Sequence, residues 1–331
     1  MGILILCPAR AGTRHGNRVT ALRWARILRR LGHRVAVHEA FRDDRPDLLI
    51  ALHARKNAAA ALRFRAGFPE APLIVALTGT DVYRDIHRSR AARRALQAAT
   101  RLVTLQPLAL RELPRALRAK ARVIHQSALA VRPGRRPARS FDVCVPGHLR
   151  SEKDPFRTAL AVRGLPAGSR IRVLQVGSAM TAAMRRRARE EMMRNPRYHW
   201  LGDRPHREAR AILARSRVMV LSSRIEGGAN VLSEALASAV PVLASRIPGS
   251  VGLLGRDYPG YFPVGATRVL ARLLGRVERD RAFYERLAGA CRRRASLVTP
   301  RAEQRAWVKL LAELGSASAA RLDQRLFAWR M

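Results

Sequence analysis

Short apolar runs alternate with amphipathic stretches along almost the whole chain. "ILILCPA" (Ile3 to Ala9) reads as a strand, and "NRVTALRWARILRRLG" (Asn17 to Gly32) as an amphipathic helix ended by glycine. "HRVAVHEA" follows as a second strand. "PDLLIALHA" (Pro46 to Ala54), "APLIVALTGTD" (Ala71 to Asp81), "RLVTLQ" (Arg101 to Gln106) and "ARVIHQS" (Ala121 to Ser127) continue the series, with helical stretches between most of them. Near-continuous apolar strands separated by helices imply a parallel sheet covered on both faces. "LAVRPGRRPARS" (Leu129 to Ser140) then breaks the pattern with Pro, Gly and Arg and reads as a linker.

The alternation restarts with "FDVCVPGHL", "RIRVLQVGS", "RYHWLG", "RVMVLSS", "VPVLAS" and "GYFPVG". The pattern therefore predicts an α/β fold of two doubly wound halves, residues 1–135 and 136–300, with a cleft between their carboxyl edges. The tail, 301–331, lacks strands and is expected to return as a helix to the first half.

Composition narrows the class. A hydrophobic content of 48% over 331 residues excludes wholesale disorder and leaves room for two cores. No apolar run reaches the eighteen or so residues of a membrane span. The N-terminal "MGILILCPAR" has no preceding basic region and reads as a core strand, not an export signal. Cys7, Cys144 and Cys291 are far apart and odd in number, so they suggest neither a disulfide framework nor a metal site. A reduced, cytoplasmic protein is expected. The net charge of +40 is almost all arginine, the lysines being Lys56, Lys120, Lys153 and Lys309. It is spread over nearly every predicted helix, and aromatics are only 5%, so a nucleic-acid ligand is not expected. Steering of small anionic substrates is compatible with it.

Four clusters fall at predicted strand ends. In "ARAGTRHGN", Gly12 and Gly16 form a loop suited to an anion, with Arg10, Arg14 and Arg18 alongside and Asn17 opening the helix. The spacing is not that of a dinucleotide loop, and no acid is expected at the end of strand two in the usual way. The second cluster joins His53, Arg55 and Lys56 of "ALHARK" to Thr78, Gly79, Thr80 and Asp81 of "LTGTD". His53 is the only evident base, Thr78 and Thr80 offer hydroxyls, and Asp81 is open to a ligand or a helix-capping role. In the third, "GHLRSEKDP", Arg150 and Lys153 lie three apart and can converge on a diphosphate.

The fourth cluster is "EGGANVLSE", with Glu226 and Glu234 eight positions apart and Gly227, Gly228, Ala229 and Asn230 after the first acid. A strand-to-helix turn is expected there. The helix should start near Gly228 and present N–H groups to a phosphate, with Glu226 before it and Glu234 about two turns inside. An anion flanked by polyols suggests a sugar nucleotide. No Asp-x-Asp metal pair appears, Asp43 and Asp44 lying on a polar loop.

"GHLRSEK" and "EGGANVLSE" resemble the Arg/Lys and Glu-x7-Glu motifs of the retaining GT-B glycosyltransferases related to family 4. The resemblance implies a nucleotide-sugar site between two Rossmann-like domains. Arg150 and Lys153 would neutralise the donor diphosphate, and Glu226 would bind the transferred sugar. Glu234 would bind the ribose, and Gly227, Gly228, Ala229 and Asn230 would present amides. Glu226, His53 and Arg150 would carry catalysis, without a metal or cofactor.

Longer stretches resemble a narrower family. "GNRVTALRWARILRRLGHRV", "DLLIALHARK", "LIVALTGTDVYRD", "AKARVIHQSA", "EGGANVLSEAL" and "VPVLASRIPGSVGLLGRDYPGYFPVG" are similar to the selenosugar synthases of selenoneine biosynthesis. That likeness implies transfer from UDP-N-acetylglucosamine to selenophosphate. The selenophosphate would lie near Arg10, Gly12, Arg14, Gly16, Asn17, Arg18, Thr78, Gly79 and Thr80, with Arg55 and Lys56 adding charge. An ordinary oxygen acceptor, glycan or lipid, is the alternative. A lipid surface is disfavoured by the lack of a Trp- or Phe-rich face, Trp24 being equally explained by core packing, and no stable membrane association is expected.

Overall fold

The computed structural model describes residues 1–13, 15–42, 44–135 and 137–328, with side chains through 315. Among the described residues there are two six-stranded sheets, and every pairing in them is parallel. The first contains β1 (Gly2–Leu6), β2 (Arg34–His38), β3 (Leu48–Leu52), β4 (Leu73–Leu77), β5 (Arg101–Thr104) and β6 (Ala121–Val123). Their order is β2-β1-β3-β4-β5-β6. The second contains β7 (Phe141–Pro146), β8 (Ile171–Val176), β9 (Tyr198–Trp200), β10 (Val218–Leu221), β11 (Val242–Ser245) and β12 (Tyr261–Phe262), in the order β12-β11-β10-β7-β8-β9.

The strands form because their residues are apolar on both faces. Along β1, Leu4 and Leu6 enter one core with Leu49, Val75 and Phe64, while Ile3, Ile5 and Cys7 enter the opposite one with Ile50, Trp24 and Trp307. This two-residue alternation is the strand period with each face covered by a helix. Helix Gly16–Arg30 covers one face and helix Ala58–Gly67 the other.

The chain divides into two compact units, residues 1–125 with 300–331, and residues 126–299. The last helix, Pro300–Ala328, belongs to the first unit. Its Trp307 is fully buried and meets Trp24 edge-on at 4.9 Å between ring centroids. Glu303, only 1% exposed, accepts from Trp24 Nε1 at 2.8 Å and pairs with Arg23 Nε at 2.9 Å. Trp24 is therefore a core residue, not a surface anchor.

Strand order fixes where ligands belong. In the first sheet the chain places β2 on one side of β1 and β3 on the other; in the second, β8 and β10 flank β7 in the same way. Crevices at the carboxyl ends of such switch points are the usual binding places in open α/β sheets. The switch points here are β1/β3 and β7/β10. All four sequence clusters begin after these strands, and the second also takes in the Thr78–Asp81 turn after β4, the neighbour of β3.

Candidate active site

In the second unit, β7 leads into Gly147 and a short turn, Ser151–Lys153, while β10 leads into Ser222 to Gly228. The two loops are tied together. Ser222 Oγ donates to the carbonyls of Lys153 (3.1 Å) and Asp154 (2.9 Å), and Arg224 N donates to the Glu152 carbonyl (2.8 Å). Asp154 takes a left-handed conformation with φ of +43° and pairs with Arg157 at 2.9 Å.

Lys153 and Glu226 come together on this frame. Lys153 Nζ donates to Glu226 Oε1, and Ser223 Oγ donates to the same oxygen at 2.6 Å. Ser223 is itself buried, and the oxygen of its carbonyl accepts from Ser245 Oγ at 2.5 Å. Glu226 is 9% exposed, so its charge is held by partners instead of water. From β11's side, helix Pro248–Leu254 closes over the turn. A Cβ on Gly249 would stand 2.1 Å from the Glu226 carbonyl oxygen, so only glycine permits this approach.

Several site expectations need revision in detail. The helix after the turn starts at Asn230, not Gly228, with Ala229 at the cap position. Glu234 lies one turn inside this helix, not two. Its Oε1 lies 2.9 Å from His206 Nε2, a partner that sequence spacing did not suggest. Glu226 and Glu234 thus have separate partners. Arg150 is exposed, at the cap position of the turn that carries Lys153. Gly227 is buried and Gly228 partly so.

In the first unit, Gly12 takes φ of +76° in the turn after β1, where Thr13 Oγ1 donates to the Arg10 carbonyl at 2.7 Å. Gly16 opens helix Gly16–Arg30, and Asn17 and Arg18 lie in its first turn. Arg18 bears on the buried thiol of Cys7, whose pKa is raised chiefly by burial and lowered in part by that guanidinium. Arg14 lies outside the described residues. An acid does stand at the end of β2, against expectation: Glu39 Oε1 accepts from Ala11 N at 2.6 Å. One amide of this anion loop is therefore already held by a carboxylate.

His53 and the Thr78–Asp81 turn do meet. Asp81 is fully buried and accepts from Ala54 N (2.9 Å), Gly79 N (2.8 Å) and Thr78 N (3.1 Å), locking the end of β3 to the end of β4. Asp81 is thus a structural cap of both strand ends. Thr80 Oγ1 lies 3.4 Å from His53 Nε2. The sequence reading missed Asp85, four residues on, whose Oδ2 lies 3.7 Å from the same ring nitrogen and 3.1 Å from Arg55 Nε. Burial holds the His53 pKa below the ordinary histidine value, partly offset by Asp81 and Asp85.

Among the described residues no helix is long and apolar enough to cross a membrane. Residues 131–294 match the family model described as glycosyl transferases group 1. No curated protein sequence matches the chain. Solved structures do. HepE of Anabaena, in complex with UDP and glucose, is 17% identical with a TM-score of 0.77, over 95% of this chain and 100% of that one. The sucrose-phosphate synthase of Thermosynechococcus elongatus is 17% identical with a TM-score of 0.76, over 96% and 99%. The pneumococcal O-GlcNAc transferase GtfA, in complex with UDP and GlcNAc, is 14% identical with a TM-score of 0.62, over 81% and 56%. The fold is GT-B, two Rossmann-like units like those of the solved glycosyltransferases, and residues 131–294 are the stretch that matches the group 1 glycosyl transferase model.

Proposed function

We propose that the protein transfers the sugar of UDP-N-acetylglucosamine to selenophosphate, forming a C–Se bond and giving a selenosugar for selenoneine biosynthesis. The observation that carries the transfer chemistry is the Lys153–Glu226 pair, held by Ser223 at the β7/β10 switch point. It lies within the stretch matched by the glycosyl transferase model. A uridine donor is supported by HepE and GtfA, both solved with UDP. The selenium acceptor rests on the motif stretches from both halves of the sequence.

In this reading Lys153 exchanges Glu226 for the donor diphosphate, joined by Arg150, and the released carboxylate takes sugar hydroxyls. Glu234 takes the ribose hydroxyls, and residues 227–230 offer amides. Selenium attacks the anomeric carbon, the bond from that carbon to the diphosphate oxygen breaks, and UDP leaves with the electron pair. The first product keeps the phosphoryl group on selenium, and hydrolysis of the Se–P bond by water then releases phosphate and the selenosugar. Lys153 and Arg150 stabilise that charge, which is the role a metal plays in other transferases. The nucleophile is already an anion, so no proton need be removed from it. Arg10, Arg18, Arg55 and Lys56 of the first unit would hold selenophosphate, and no further cofactor is invoked.

The test is mass spectrometry of the purified protein with UDP-N-acetylglucosamine, with and without anoxically prepared selenophosphate. A product with the selenium isotope pattern, and UDP release that depends on selenophosphate, is expected. UDP release into a selenium-free product, or without selenophosphate, would move the acceptor to oxygen.

A further inference from the structure

His53 is set unusually for a histidine. It follows β3 with φ of +72°, a left-handed conformation that is disfavoured for a residue bearing a Cβ. Its backbone N–H donates to the Ala76 carbonyl on β4 at 2.8 Å, and its carbonyl accepts from Asn57 N at 3.2 Å. The neighbouring strand thus holds the strained residue in place, as strain at functional positions requires.

The ring, 6% exposed, lies among charged groups from three segments. From its own loop, Lys56 N–H donates to Nδ1 at 3.4 Å. From the turn after β4, Asp81 Oδ2 stands 3.9 Å from Nδ1, and Thr80 Oγ1 stands 3.4 Å from Nε2. From the far end of that turn, Asp85 Oδ2 stands 3.7 Å from Nε2, with Arg55 Nε 3.1 Å from the same oxygen and Arg84 Nε 3.3 Å from Oδ1. Residues Asp81–Asp85 form a π-helical turn, whose wider winding puts residues four apart on one side. Both carboxylates therefore face the imidazole.

The two acids do different work. Asp81 accepts three backbone amides and is committed to the strand ends. Asp85 Oδ1 accepts from Arg84 Nε, while its buried Oδ2 accepts no hydrogen bond, pairs with Arg55 by charge and faces Nε2. Because the Lys56 amide points at Nδ1, that nitrogen is the acceptor and the proton of a neutral ring sits on Nε2, toward Asp85 and Thr80.

We propose that Asp85 is a positioning residue that fixes His53 as an Nε2–H donor and Arg55 beside it, so that this strand-end site is built to hold an anionic group and not to remove a proton. The inference rests on the reading of the first unit as the acceptor side, and it narrows the acceptor class to nucleophiles already ionised near neutral pH. Burial and the Arg55 and Lys56 charges oppose a charged ring, while Asp81 and Asp85 favour one. The net direction, a neutral ring, agrees with a donor role.

The experiment is long-range nitrogen–proton correlation NMR on the full chain labelled with 15N-histidine, the His53 signals being assigned by their loss in His53→Gln. Wild type at pH 7.5 is expected to show His53 as a single Nε2–H tautomer. In Asp85→Asn that single tautomer is lost and the His53 titration midpoint falls by about one pH unit, since a neighbouring carboxylate has been removed. Asp85→Glu should restore the wild-type pattern in part. UDP affinity measured by calorimetry should be unchanged within about twofold in both variants, because Asp85 lies outside the donor unit. A wild-type His53 that is Nδ1-protonated or charged at pH 7.5 would overturn the proposal. So would an Asp85→Asn spectrum identical to wild type. Neither readout needs turnover, so the placement of His53 and Asp85 is tested separately from the selenium assay: an oxygen acceptor there would remove the selenium reading, and a wrong tautomer here would remove the positioning role of Asp85.

Discussion

Glu226 and Lys153 neutralise each other in the structure, yet the proposed donor chemistry uses both. Removing the carboxylate therefore has two opposed effects. In Glu226→Ala the sugar loses its hydroxyl acceptor, while Lys153 is released for the diphosphate. Turnover is expected to fall by about 100-fold or more, the usual cost of deleting a group aimed at the reacting centre. UDP binding by calorimetry should hold or tighten. A loss of UDP affinity equal to the loss of rate would place Glu226 on the nucleotide and not the sugar.

His53 carries a consequence for stability as well. Its folded pKa lies below the ordinary value of 6.5, with burial the largest cause. The unfolded chain then binds more protons than the folded one as pH falls through 6.5 toward the depressed folded value. Stability accordingly decreases as pH drops across that window and is unaffected by this group above it. Denaturant titrations of wild type and His53→Gln at pH 7.5 and 5.5 should show a smaller pH dependence in the variant.

At the scale of elements, loops after parallel strands carry His53, Lys153 and Glu226, and hydrogen bonds between those loops hold them in place. The β10–helix turn depends on the close approach of helix Pro248–Leu254, which Gly249 alone allows. Gly249→Ala should cost about 1–3 kcal/mol, as overpacking does. The shift falls on the Glu226 backbone, so UDP-sugar turnover should drop even where circular dichroism shows a folded protein. Normal turnover with lowered stability would mean the helix yields and the turn does not. The run of strands and the helices between them were legible from period and punctuation, because apolar residues on both strand faces have few alternatives to a covered parallel sheet. Helix starts were less so. Gly228 and Asn230 differ by two residues, and that difference moves Glu234 relative to the turn.

At the scale of the whole molecule, the chain's last helix completes the first unit's core. Trp307 packs on Trp24, and Glu303 satisfies Trp24 and Arg23. Trp307→Ala is expected to destabilise the protein by about 3–5 kcal/mol, the usual result of truncating a buried tryptophan. Thermal unfolding followed by calorimetry would show it as a lowered transition, and UDP should offer the remaining second unit more protection than the first. The sequence by itself determined the α/β class, the repetition of two doubly wound halves, and the strand-end clusters, since these depend on local periodicity and short spacing. Tertiary structure alone decided who meets whom: Ser223 and Lys153 on Glu226, His206 on Glu234, Glu39 on the Ala11 amide, and Asp85 on His53. Except for Ser223, which shares the turn of Glu226, those partners lie on different strands and turns, and strand order, which no local pattern encodes, brings them within a few ångströms.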